Sequence, residues 1–146
     1  MTGGLSDADY FEELRAFSQD KLSKVRSLVT EADQLVAGKA CVYVTGSFGR
    51  LEANSTSDMD LFVVSDCGPG GNDTLTGIDT ILVQADLIHS LKKLDLPGLD
   101  GDGKYLSRHS ISKMVETLGT PDDDAVNTFT ARLLLLLESQ WCDPDR

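Results

Sequence analysis

The sequence predicts an α/β (α+β) domain, a small sheet flanked by helices, on three observations. Two short runs, 40–45 (ACVYVT) and 59–64 (MDLFVV), are rich in β-branched and aromatic residues and have the length of buried strands. The segments on either side of them carry apolar residues at helical period. The chain has 146 residues, 40% hydrophobic and 25% charged, which suffices for one hydrophobic core and hardly for two, so residues 1–146 read as a single domain.

The elements follow in order. Ser6 with Asp9 three residues on forms a capping box, and Leu14, Leu22, Val25, Leu28, Ala32 and Leu35 continue at helical spacing, with a break expected around Ser18 to Asp20. Gly38 closes this helical region as a C′ residue. The two strand runs come next, and between them Gly46 to about Glu52 predicts a short helix. Residues 66–77 (DCGPGGNDTLTG) read as a flexible surface loop. From Ile78 to Leu94 an amphipathic helix is predicted, its apolar face made by Ile78, Ile81, Leu82, Ala85, Ile88 and Leu91. Residues 96–103 (LPGLDGDG) break it, 104–108 predict a short strand, and Ser110 caps a brief helix ending at Gly119. Thr120 then serves as N-cap, Pro121 as first helical residue, and Asp122, Asp123 and Asp124 face the dipole of a final helix running to about Ser139. Leu133 to Leu137 make that helix apolar around its whole circumference, so burial on all sides is expected. Such a helix needs cover. The run therefore predicts either that the chain is the N-terminal part of a longer protein or that it self-associates through this end.

The formal net charge is −11. Nothing forms the basic stripe that grips a phosphate backbone, so direct binding of duplex DNA is not expected. Nucleotides remain open, because divalent cations bridge carboxylates to phosphates. Cys41, Cys67 and Cys142 are odd in number and far apart, which points to free thiols in a reducing cytoplasm rather than to a disulfide framework or a zinc site. The N-terminal MTGGLSDADYFEELR is acidic and lacks the apolar stretch of a secretory signal, and the five leucines are too few to span a bilayer.

The chemistry concentrates in Asp58 and Asp60. Residues i and i+2 of a strand share a face, so two carboxylates project to one side and repel each other unless a cation lies between them. Mg²⁺ or Mn²⁺ supplies that charge, takes oxygen ligands and leaves positions open for phosphate. Upstream, Gly46 permits a sharp turn after a strand, while exposed N–H groups and the Ser47 hydroxyl suit a phosphate at a helix start. Arg50 either neutralises phosphate charge or anchors the loop to the carboxylates. An EF-hand is excluded because Phe62 takes the next ligand position. Plainer roles suit several other residues. His89 and His109 match no metal or triad spacing and read as structural or surface groups, Cys41 as a small buried hydrophobe, and Asp122 to Asp124 as helix-start charge. Tyr105 and Arg108 either line a nucleotide pocket or belong to a half-exposed strand.

The pattern Gly46-Ser47-Phe48-Gly49-Arg50, followed by Ser57-Asp58-Met59-Asp60 and the apolar Leu61 to Val64, resembles the nucleotidyltransferase superfamily whose fold is shared with DNA polymerase β. More loosely, the stretch from GDGKYL (101–106) through TFTARLLLLLES (128–139) is similar to the N-terminal domains of bacterial nucleotidyltransferase-like proteins. The resemblance implies a minimal nucleotidyltransferase fold with a small mixed β-sheet flanked by helices. It also implies two catalytic Mg²⁺ (or Mn²⁺) ions and transfer of a nucleoside monophosphate from an NTP such as ATP to an acceptor hydroxyl, on a small molecule, a protein or an RNA end. Carried onto this chain, Asp58 and Asp60 become the catalytic metal ligands, and Gly46, Ser47 and Arg50 the nucleotide-binding residues. The family also calls for a third carboxylate on a later strand. Asp102 is the candidate, with Asp100 and Asp95 behind it, although an aspartate between Gly101 and Gly103 also suits a plain turn. Two further outputs fit the same superfamily: an antitoxin-type domain that binds or modifies a protein partner, and an inactive nucleotide-binding regulatory module.

Overall fold

The protein is described by a computed structural model covering residues 6–94, 96, 106, 108–125 and 128–141. Helix α1 (Asp7–Leu28) starts in the expected capping box, with Asp9 N donating to Ser6 Oγ and Ser6 N to the Asp9 carboxylate, each at 3.3 Å. The break expected at 18–20 does not occur. Ser18 is fully buried, but its hydroxyl donates to Leu14 O at 2.8 Å and accepts from Ala53 N at 3.0 Å, so the helix passes through with its polar group satisfied. The chain breaks instead at Val29, where α2 (Thr30–Val36) begins, and Gly38 at φ +71° ends this region as expected.

Four strands, β1 (Ala40–Thr45), β2 (Asp60–Ser65), β3 (Arg108–Ser110) and β4 (Gln140–Trp141), form one sheet in the order β3-β2-β1-β4. β2 and β3 run parallel and the other pairs antiparallel, so the sheet is mixed, as the resemblance implied. β1 has the predicted bounds, β2 starts one residue later than the predicted run, and β3 spans 108–110, while 104, 105 and 107 of the predicted 104–108 lie outside the described residues. β4 was not expected at all, because two residues are too few to show an alternating pattern.

Strand alternation divides the interior. Val42, Val44, Leu61 and Val63 face the larger core, shared with Leu22 and Val25 of α1 and with Val83, Leu87 and Leu91 of α4 (Gly77–Lys93). Tyr43, Phe62 and Val64 face the other way, toward Met114 of α5 (Ile111–Glu116) and Ala131, Leu134 and Leu135 of α7 (Thr128–Glu138). Cys41 is half-buried, not the enclosed hydrophobe expected, because the same alternation turns it from the larger core.

Three further expectations need correction. On α4 the predicted apolar face is largely exposed at Ile78, Ile81 and Leu82. Two overlapping stripes exist on this helix, and the one carrying Val83, Leu87 and Leu91 reaches the core. The loop at 66–77 is anchored: Leu75 is buried, Thr74 Oγ1 donates to Lys39 O at 2.7 Å, and Arg108 pairs with Asp73 at 3.1 Å while donating to Leu75 O. That assignment also settles Arg108 as a clamp on the loop, while Tyr105 lies outside the described residues. Of the five leucines, Leu134 and Leu135 meet the core whereas Leu133, Leu136 and Leu137 are exposed, since a helix lying on a sheet has one apolar neighbour only.

The predicted final helix comprises α6 (Pro121–Ala125) and α7, with 126 and 127 outside the described residues. Asp123 does more than complement a dipole. Its carboxylate pairs with Arg132, accepts from Gly119 N at 3.1 Å and from Thr128 Oγ1 at 2.9 Å, and Arg132 holds it below the usual carboxylate range. Among the described residues no helix is long and apolar enough to cross a membrane.

His109 is buried against Phe62, ring centroids 5.4 Å apart, which bears out its structural role. Burial pushes its pKa below the ordinary value, so the folded state holds a neutral imidazole. Unfolding releases a histidine that protonates near pH 6.5. Its contribution to stability is therefore complete above that pH and is lost as the pH falls below it toward the folded pKa. Thermal unfolding followed from neutral pH downward is expected to show this loss, and His109→Phe to flatten the profile. An unchanged slope in the variant would disprove the assignment.

Candidate active site

The antiparallel register places Thr45, the last residue of β1, opposite Asp60, the first of β2. The turn that leaves β1 and the carboxylate that opens β2 therefore lie at the same end of the sheet. Gly46 adopts φ +65°, and a Cβ there would stand 2.7 Å from Asp60 Oδ2. Only glycine supplies both the left-handed backbone and the room for that carboxylate. Helix α3 (Gly46–Gly49) is a single turn, shorter than the predicted 46–52, because Leu51 turns left-handed at φ 60° and Glu52 N closes onto Ser47 O at 2.8 Å. Phe48 is fully buried against Phe17 and roots the turn in the larger core.

The linker to β2 is equally fixed. Ala53 N is bound by Ser18, and Asn54 Oδ1 accepts from Thr56 N at 2.8 Å in a tight Asx turn. Met59 then points into the larger core. Asp58, which precedes the strand, is exposed and Asp60, its first residue, is half-buried, one on either side of Met59. Burial raises the Asp60 carboxyl above its ordinary range, and the charges of Asp58 and Glu138 raise it further. Behind it, Thr45 Oγ1 is buried with no hydrogen-bond partner among the described residues.

Glu138 is the residue that sequence reasoning missed. It ends α7, and its carboxylate accepts from Arg50 Nη1 at 2.6 Å while Glu52 accepts from Arg50 Nε at 2.8 Å. Its carbonyl oxygen closes over Gly49 so tightly that a Cβ there would stand 1.8 Å away, with Val44 O at 3.0 Å on the other side. Arg50 thus anchors the loop to carboxylates, though to Glu52 and Glu138 and not to the aspartate pair. These contacts use Nε and Nη1, and the guanidinium carries five donors in all. No local signal could have revealed Glu138, which lies 88 residues from Arg50 and reads in sequence as the mere end of a leucine run.

Asp102, Asp100 and Asp95, the candidates for a third acid, lie outside the described residues. Among the described residues no group of three or more histidines, cysteines or carboxylates is placed to hold a metal. The pair alone nevertheless fits Mg²⁺ or Mn²⁺. Its donors are hard oxygens, the burial and neighbouring negative charge that disfavour ionised Asp60 are what a divalent cation would offset, and Mg²⁺ commonly takes one or two carboxylates plus phosphate and water.

A protein-family model described as a nucleotidyltransferase domain matches residues 23–126, a span that includes the Gly46–Arg50 turn and both aspartates but not Glu138. No curated protein and no solved structure matches the chain.

The backbone contact at Gly49 makes a firm test of this geometry. Gly49→Ala is expected to cost about 3 kcal/mol, the upper end for overpacking, because the backbone of Glu138 and of Val44 crowds the new methyl. Denaturant unfolding that finds wild-type stability would show that α7 does not close on the turn. The Arg50–Glu138 pair is partly exposed, at 43% and 20% of side-chain surface, so a cycle of Arg50→Ala, Glu138→Gln and the double variant is expected to give a coupling of about 0.5–1 kcal/mol. Strict additivity would break the link.

Proposed function

The chain belongs to the nucleotidyltransferase domain family, and on that premise we propose that it is a metal-dependent transferase that moves a nucleoside monophosphate from an NTP to the hydroxyl of an acceptor. The observation that carries this reading is the contact of Gly46 with Asp60, which joins a phosphate-type turn to a carboxylate at one end of the sheet.

In this reading the Gly46 backbone and the Ser47 hydroxyl hold the β- and γ-phosphates. Arg50, oriented from behind by Glu52 and Glu138, turns its remaining donors to phosphate oxygens. Asp58 and Asp60 hold Mg²⁺ or Mn²⁺, which when bound supplies positive charge to the phosphates and acidity to the acceptor hydroxyl. The acceptor oxygen bonds to the α-phosphorus, the bond from that phosphorus to the α–β bridging oxygen breaks, and pyrophosphate leaves with the electron pair. The hydroxyl proton passes to a carboxylate, for which Asp102 is the proposed residue. The acceptor is a small molecule, a protein or an RNA end.

Ligand that binds the folded state alone raises stability, by about 2.7 kcal/mol at a concentration a hundredfold above Kd. Thermal shift with ATP, GTP, CTP and UTP, each with and without Mg²⁺, is expected to show a metal-dependent rise for at least one nucleotide. Asp58→Asn and Asp60→Asn are expected to abolish the metal-dependent part, since a neutral amide is a poor ligand for a hard cation. Without ligand, Asp60→Asn is expected to match or slightly exceed the wild type, because a half-buried, repelled charge is gone. A wild type indifferent to metal with all four nucleotides would defeat the reading.

A further inference from the structure

Of the helices that cover the second face of the sheet, α7 leaves its outer side apolar, and α5 adds two apolar side chains beside the exposed Lys113 and Glu116. On α5, Ile111 and Val115 are exposed, and on α7 Phe129, Leu133, Leu136 and Leu137 repeat at i, i+4, i+7 and i+8, with exposures from 43% to 81% across the six. The two helices are tied side by side, since Arg132 Nη1 donates to Met114 O at 2.7 Å and the hydroxyls of Thr117 and Thr128 lie 3.1 Å apart. Thr130 is the sole exposed residue of α7 that is not a large hydrophobe, and no exposed position of this helix is charged. Surface of this kind, gathered in one place, is uncommon on a monomer.

We propose that a second copy of this chain docks on this side, α7 against α7, about a two-fold axis. Charge and area both select that occupant. Two copies, each at formal net charge −11, repel over most approaches, and the outer side of α7 is where they meet without bringing like charges together. A partner recognised through opposite charge would find none to read on the exposed positions of α7. An interface of standard size takes about 800 Å² from each side, and six large side chains, four of them more than half exposed, supply a large share of it before any rim residue contributes. A stripe that is apolar along its length is also complementary to itself, as a two-fold contact requires.

The other apolar stripe, Ile78, Ile81 and Leu82 on α4, differs on this point. It borders a groove of about 660 Å³ lined by Glu31 and Asp86, so a second copy would meet its own acids there. This contrast supplies the control.

Light scattering and analytical ultracentrifugation of the full chain, over a hundredfold range of concentration, are expected to show a dimer in the micromolar range or below. Leu136→Lys alters a side chain that is 81% exposed, so it is expected to leave the thermal midpoint of the protomer nearly unchanged and to shift the weight-average mass to that of a monomer. Leu137→Lys repeats the test one position along, in case the first variant folds poorly. Ile81→Lys is expected to stay dimeric. A monomeric wild type overturns the proposal, and so does a dimer that survives both leucine variants or one that Ile81→Lys disrupts.

Discussion

The antiparallel pairing that sets Thr45 opposite Asp60 is the contact on which the rest of the molecule depends, because it answers two demands at once. The first belongs to the core. Leu61 and Val63 must meet Val42 and Val44 on the face covered by α1 and α4. The second belongs to the site, since Asp60 must emerge beside Gly46. A slip of one residue would invert every side chain of β2, burying the carboxylate among leucines and exposing Leu61. The hydrophobic pattern therefore aims the acidic pair, and the site is positioned by residues that take no part in its chemistry.

Electrostatics at that end of the sheet run against the stability of the fold, since burial and neighbouring acids disfavour ionised Asp60. Asp58, Asp60 and Glu138 crowd together, and the Arg50 guanidinium is drawn toward Glu52 and Glu138 and not to the aspartates. A perturbed carboxylate such as Asp60, with other acids near it, is a feature of functional sites, where folding alone would have favoured a neutral residue. The arrangement has a simple logic. One pair of acids orients the arginine, and under the proposed function the other is left for a ligand that brings its own positive charge.

What was legible in the sequence follows from how far each signal reaches along the chain. The β1 and β2 runs and the capping box at Ser6 are all local, and the structure reproduces them within a residue. Failures occurred where a distant partner decides the outcome. Ser18 resembles a helix breaker until Ala53, 35 residues away, is seen to donate to it. On α4 two stripes compete in the same segment, and only tertiary packing chooses Val83 and Leu87 over Ile78 and Ile81. Glu138 and β4 belong to the same class: a short strand and a single acid gain meaning from docking on Val44 and Gly49, which no spacing rule encodes.

The bond between Ser18 and Ala53 has a consequence of its own. Apolar contact is nearly indifferent to direction, so Leu22 and Val25 alone would let α1 settle at several positions along the sheet at similar free energy. A buried hydroxyl that must receive one particular N–H has a single solution, and any shift of the helix would strand that amide in the core. Ser18 thus works as an index pin that removes degeneracy from the packing of the longest helix. The amide it holds lies in the linker between Arg50 and Asp58, so the same pin fixes the span of backbone that separates the phosphate-type turn from the acids. The matched family region begins at residue 23, beyond this serine. The unit that is physically coherent is accordingly larger than the unit that is recognisably inherited.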